Sequence, residues 1–255
     1  MSSKKEREKR REERVAAETK ASTTDRRTRL LQLAAGLAFL GVAAVVVVIV
    51  VAASSSGDSG DTKLEDVATV NQILGEIPQD RLVIGDPKAP VELIEFGDLQ
   101  CPICKSYSEE QLPPLIDGVV KEGKAKIVFR NFTIISEESI PAGAAAIAAG
   151  NQGRGWNYID IFYRNQGEER SGYVTDEFMT SIAKGAGVKD IAKWNKERKS
   201  KDVTKEVEAT TAEAQKFGFT GTPSFAIKGP SSNGIELLGT LSTPEEFEEA
   251  IEAAS

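Results

Sequence analysis

Histidine is absent from this 255-residue chain, and cysteine occurs only twice. A structural zinc site wants four Cys or His ligands. Two thiols without an imidazole therefore exclude an ordinary zinc centre, and one oxygen from nearby Asp98 leaves the ligand set short. No internal repeat is visible. Basic charge is scarce where a nucleic acid would need it. The net charge is −7, but residues 1–29 hold a local +5, so the rest of the chain carries −12. Nucleic-acid affinity rests on Lys and Arg neutralising phosphates, and an acidic body argues against that partner.

Charge is missing altogether from residues 30–53, LLQLAAGLAFLGVAAVVVVIVVAA, whose only polar side chain is Gln32. At roughly 1.5 Å per residue this run can span a hydrocarbon core of roughly 30 Å. It is expected to be a transmembrane helix. Arg26, Arg27 and Arg29 at its start leave the N-terminal tail cytoplasmic and send the remainder outward. A cleaved signal peptide is the competing reading, with Val51 and Ala53 suited to a cleavage site. The run exceeds a usual signal h-region and no lipobox cysteine is present, which favours an uncleaved anchor. The expected order is a basic cytoplasmic tail (1–29), a membrane helix (30–53), a Ser/Gly/Asp tether with a short juxtamembrane helix (54–77), and an exported domain (78–255).

Within that domain, VELIEF (91–96) and KAKIVFRNF (124–132) read as strands. A helix should follow Cys101 to about Leu112, where Pro113-Pro114 should kink or end it. Residues 139–200 read as helical, with segments opening near Pro141, at Trp156, at Asp176 behind Thr175, and near Asp190. A further helix over 203–217 stops at Gly218. SFAIKG (224–229) and IELLGT (235–240) form a hairpin, and Thr243-Pro244-Glu245-Glu246 is a capping box for a last helix. This order predicts an α/β sheet with a helical insertion at about 136–200.

The two cysteines are Cys101 and Cys104, in FGDLQCPIC. A structural staple across four residues removes little loop entropy and stabilises weakly. A redox pair fits the position better. Cys101 falls where a strand gives way to a helix, so unpaired helix N–H groups and the positive dipole end favour its thiolate. Cys104 lies one turn later, less exposed. Thr222-Pro223 stands directly before a strand, where a thioredoxin-like site keeps a cis-proline.

VIGDPKAPVELIEFGDLQCPIC, the GTPSF segment and the helical block between them resemble the DsbA-type thiol–disulfide oxidoreductases of the thioredoxin superfamily, in a membrane-anchored form. The resemblance covers residues 78–254. It implies a thioredoxin-like α/β fold, exported proteins with free thiols as partners, and a quinone-coupled membrane oxidase for reoxidation. It also implies that the disulfide is the only redox group, with no other cofactor. Cys101 then matches the nucleophile, Cys104 the resolving cysteine and Pro223 the cis-proline, with Thr222 before it. Pro102 and Ile103 join Thr222 and Pro223 as substrate-facing positions. Glu95 matches a buried acid that moves protons near the pair, unless the strand turns it to an edge or to solvent. Asp98 is also a common family position.

Where well-known oxidants place His between the cysteines, Ile103 offers no imidazolium. Helix amides, with Lys105, must then hold the thiolate, and a weaker oxidant is expected. A reductase or isomerase of the same fold, or a non-catalytic thioredoxin-like binding domain, are the alternatives.

Overall fold

The computed structural model describes residues 63–239 and 241–255. The charged tail, the apolar run 30–53 and the start of the tether lie outside the described residues. Among the described residues no helix is long and apolar enough to cross a membrane.

Six strands form one sheet in the order β1-β2-β4-β3-β5-β6. They are β1 Gln79–Asp80, β2 Val83–Ile84, β3 Val91–Gly97, β4 Ala125–Asn131, β5 Ser224–Lys228 and β6 Glu236–Leu237. The centre is β3, parallel to β4 and antiparallel to β5. Side chains alternate across a strand, so β3 sends Val91, Leu93 and Glu95 to one face and Ile94 and Phe96 to the other. Val91 and Leu93 join the main core, whereas Ile94 and Phe96 join a smaller cluster with Phe132, Ala214 and Ala226.

The helices are α1 Val67–Leu74, α2 Pro102–Glu110, α3 Leu112–Leu115, α4 Ser139–Gly150, α5 Gly155–Arg164, α6 Asp176–Gly185, α7 Ile191–Glu197, α8 Lys201–Lys216 and α9 Pro244–Ala254. Their starts follow ordinary capping chemistry. Thr175 and Ser200 accept from the third backbone N–H beyond them, and Thr243 with Glu246 makes a complete capping box. Gly218 ends the α8 region with φ 80°, a left-handed conformation that glycine adopts without strain.

Helices α4 to α7 form the inserted block, which shares one continuous core with the sheet. Ser108 on α2 donates to Asp160 on α5 at 2.9 Å, which fixes the block against the cysteine-bearing helix.

One boundary needs correction. The short helix near residue 70 is not part of a free tether: Val70 and Leu74 are fully buried in the main core, and Asn71 bonds to Asn157 and to Gly185. The folded unit therefore begins ahead of residue 78. The helix that opens at Pro102 ends at Glu110, as expected of a chain approaching Pro113-Pro114. The two prolines occupy the first turn of α3, where a missing N–H leaves no bond unmade, and a wider π-type turn (Ile116–Val120) follows. Strands β1 and β2 add an antiparallel edge that the sequence pattern did not reveal.

Candidate active site

Cys101 is the N-cap of α2, and Pro102 occupies its first turn. The cap has extended backbone (φ −78°, ψ 119°), and its sulfur takes the part usually played by a Ser or Asp oxygen. Sγ accepts from the Cys104 N–H at 3.3 Å. It also approaches the Thr222 carbonyl oxygen at 3.2 Å, to which a thiol donates. The Cys101 thiol is drawn down from 9.0 to about 6. The Cys104 thiol donating to it is the largest cause, burial opposes, the Thr222 side chain lowers it next, and the N–H groups of Cys104 and Ile103 add to the effect.

Cys104 behaves in the opposite way. It is fully buried, and its thiol is pushed well above 9.0, first by burial and then by its bond to Cys101 and the charges of Cys101 and Glu95. Both cysteines are free thiols in this structure. Cys101 is more enclosed than a substrate-facing sulfur was expected to be, at 3 % exposure. The Lys105 ammonium pairs with Glu109 one turn along α2, at 3.9 Å.

Glu95 does not turn to an edge or to solvent. It lies in the central strand, paired with Phe129 on β4 and Phe225 on β5, and is buried. Its Oε1 has no hydrogen-bond partner. Burial pushes its carboxyl up from 4.5 to about 8, with the nearby Cys101 charge adding to the shift. A neutral acid at physiological pH thus sits on the same sheet face as the main core that encloses both cysteines.

The loop between β3 and α2 is held by residues whose role the sequence did not reveal. Asp98, buried, accepts from the N–H groups of Gln100, Ile134 and Ile135, each at 2.9 Å. Its carbonyl accepts from Cys101 N at 2.9 Å and from Tyr163 Oη at 3.2 Å. Gln166 donates to the carbonyls of Leu99 and Cys101 at 2.8 and 3.1 Å. Buried Gln100 completes the clamp, donating to Ser136 and accepting from the Arg170 N–H. The long-range partners come from 36 to 70 positions away, so only the polar GDLQ ahead of the cysteines hinted at them.

The Thr222-Pro223 peptide bond is cis. Thr222 and Pro223 lie beside Ile103 in the wall of a groove of about 530 Å³, with Tyr107, Phe219, Phe225 and Leu238. Ile103 stands 65 % exposed at its rim, and Pro102 is exposed beside it. Glu110 is the only charged side chain among the described lining residues. Among the described residues no group of three or more His, Cys, Asp or Glu could hold a metal ion.

A family model described as thioredoxin matches residues 78–253. The chain belongs to the thioredoxin family. A Bacillus cereus protein described as "Probable disulfide bond formation protein D" is 32% identical over 153 residues, covering 59% of this chain and 71% of that protein. Among solved structures, oxidised BdbD from Bacillus subtilis superimposes with a TM-score of 0.60 at 20% identity, over 69% of this chain and 96% of that one. The α-DsbA1 of Wolbachia pipientis gives a TM-score of 0.59 at 23% identity, over 72% and 95%. Within the thioredoxin family this chain is a DsbA-like protein disulfide oxidoreductase. Its helical block between β4 and β5 is the insertion the sequence pattern predicted.

Proposed function

We propose that the protein is a membrane-tethered disulfide donor to exported proteins. The observation that carries the reading is the placement of Cys101 as N-cap of α2, its Sγ accepting from the Cys104 N–H at 3.3 Å with Cys104 fully buried behind it. The Cys101 thiol, drawn to about 6, below the roughly 7 of thioredoxin, favours the donor direction. A site that stabilises one thiolate stabilises its own reduced form and gives up its disulfide readily. In the oxidised protein a substrate thiolate attacks Cys101 Sγ, the Cys101–Cys104 bond breaks, and Cys104 leaves as a thiolate. Cys104 cannot stay ionised in its buried setting, so it takes the proton of Glu95. The substrate's second thiolate then attacks the substrate sulfur of the mixed disulfide, and Cys101 leaves as a stabilised thiolate. Substrate is oxidised by two electrons; the protein is left reduced, with Cys101 as a thiolate, Cys104 as a thiol, and Glu95 as a carboxylate that regains its proton from solvent.

The groove beside Ile103 and Pro223, where Phe219, Phe225 and Leu238 alternate with Ser and Thr side chains, suits an unfolded chain that presents both apolar and polar groups. Residues 30–53 would hold the domain on the outer face of the membrane, where a quinone-coupled membrane oxidase would restore the disulfide. The test is Cys104→Ala in cells. Mixed disulfides between Cys101 and exported proteins should accumulate, and Cys101→Ser should form none. If Cys104→Ala captured no exported protein, the donor reading would lose its support.

A further inference from the structure

Glu95 Oε1 and Tyr107 Oη are among the buried polar atoms near the cysteines that have no hydrogen-bond partner. A buried polar group without a partner is costly and calls for an explanation. The fold brings both to one place. Glu95 and Phe225 are directly opposed in the β3–β5 register, so their side chains share a face. The Tyr107 ring packs on that same Phe225, with centroids 4.9 Å apart, and on Phe247 at 5.4 Å. Tyr107 also lies one turn beyond Cys104 on α2, so a single helix carries both the thiol that needs a proton and an uncommitted phenol.

Two other unpartnered donors lie in the same core, the Trp156 indole N–H, whose ring packs on Phe129, and the Thr222 hydroxyl in the loop beside Cys101, but neither shares a helix with Cys104. Cys101 and Cys104, from α2, are the exchanging pair. Tyr163, from α5, already donates to the Asp98 carbonyl at 3.2 Å. The flanking strands present only Phe129 and Phe225. A neutral Glu95 can do without a donor, but a carboxylate in this setting cannot.

We propose that the Tyr107 hydroxyl is the donor that receives Glu95 when the carboxyl gives its proton to Cys104. Tyr107 is then a positioning residue of the exchange reaction: it binds no substrate sulfur and acts through Glu95. The proton moves from Glu95 to the Cys104 thiolate, the phenol keeps its own proton, and the new carboxylate accepts a hydrogen bond from it. This inference rests on the role proposed above for Glu95, but not on the direction of exchange.

The test is an infrared titration of the full-length reduced protein, with Glu95→Gln identifying the Glu95 band. In Tyr107→Phe the ring stays and the donor goes, so the Glu95 midpoint should rise by about one pH unit. Replacing Tyr107 with 3-fluorotyrosine, a stronger donor of similar shape, should lower the midpoint. In single-turnover exchange with a dithiol peptide, Tyr107→Phe should slow the step by about three- to tenfold. Glu95→Gln/Tyr107→Phe should be no slower than Glu95→Gln alone. An unmoved midpoint in both tyrosine variants, or full additivity of the two rate losses, would overturn the proposal. A shifted midpoint in a protein that oxidises no dithiol would support the Tyr107 contact and contradict the donor reading instead.

Discussion

The sulfur of Cys101 lies 3.2 Å from the carbonyl oxygen of Thr222, a residue 121 positions later in the chain. That contact joins the two halves of the site, the N-terminus of α2 and the loop that opens β5. It also requires a proton on sulfur. When Cys101 ionises, the sulfur can only accept, and the N–H groups at the start of α2 become its partners. The Thr222 hydroxyl, buried and unpartnered in the dithiol state, is a further donor within the same loop.

The first expectation concerns that ionisation. Alkylation of the reduced protein by iodoacetamide should rise with pH around a midpoint near 6, and only Cys101 should be modified. The sign follows from the shift. A thiol pulled below its unfolded value adds stability at high pH and loses it as pH falls through about 6. The reduced protein should therefore lose stability on acidification through that range. Thermal unfolding of Cys101→Ser beside the parent protein, both reduced, isolates the contribution.

Glu95 has the opposite sign. Its folded value of about 8 lies above the ordinary 4.5, so the folded state holds a proton that the unfolded chain releases. Stability is unaffected below about 4.5 and falls as pH rises toward 8. Glu95→Gln should leave stability unchanged at pH 4 and raise it by about 3 kcal/mol at pH 7. Denaturant unfolding at the two pH values checks this, and the same variant should exchange disulfides more slowly.

Asp98→Ala removes three charge-assisted acceptor contacts and strands three backbone donors. The expected loss is about 3 kcal/mol. Because the carboxylate links the cysteine loop to residues 134 and 135, the Cys101 titration should also broaden or move. Urea unfolding and the alkylation profile measure the two effects separately.

Ile103→His supplies the imidazolium that this site lacks. Ile103 is largely exposed, so the substitution should be tolerated. The Cys101 midpoint should drop below 6 and the pair should become more oxidising. Equilibration of both proteins with glutathione compares them directly.

Much of this site was legible in the sequence because its cues are local. Pro102 behind Cys101 marks a helix start, Thr243 with Glu246 marks another, and Thr222-Pro223 announces the loop opposite the cysteines. Glu95 was not decided by pattern. A strand buried on both faces shows no alternation, so IEF reads equally well as core or edge. Strands β1 and β2 have two residues each and are too short for any period to show. The clamp around Asp98 depends on Ile134, Tyr163 and Gln166, which only the folded chain brings near. Pro113-Pro114 announced the break after Glu110, and the first turn of α3 accommodates them because their missing N–H groups leave no bond unmade there.

The most direct measurement is the reduction potential of the Cys101–Cys104 pair, obtained by titrating the full-length protein against glutathione. A thiolate near 6, without histidine, predicts a value between roughly −180 mV, that of protein disulfide isomerase, and roughly −120 mV, that of DsbA. A value near the roughly −270 mV of thioredoxin would mark the pair as a reductant and contradict disulfide donation.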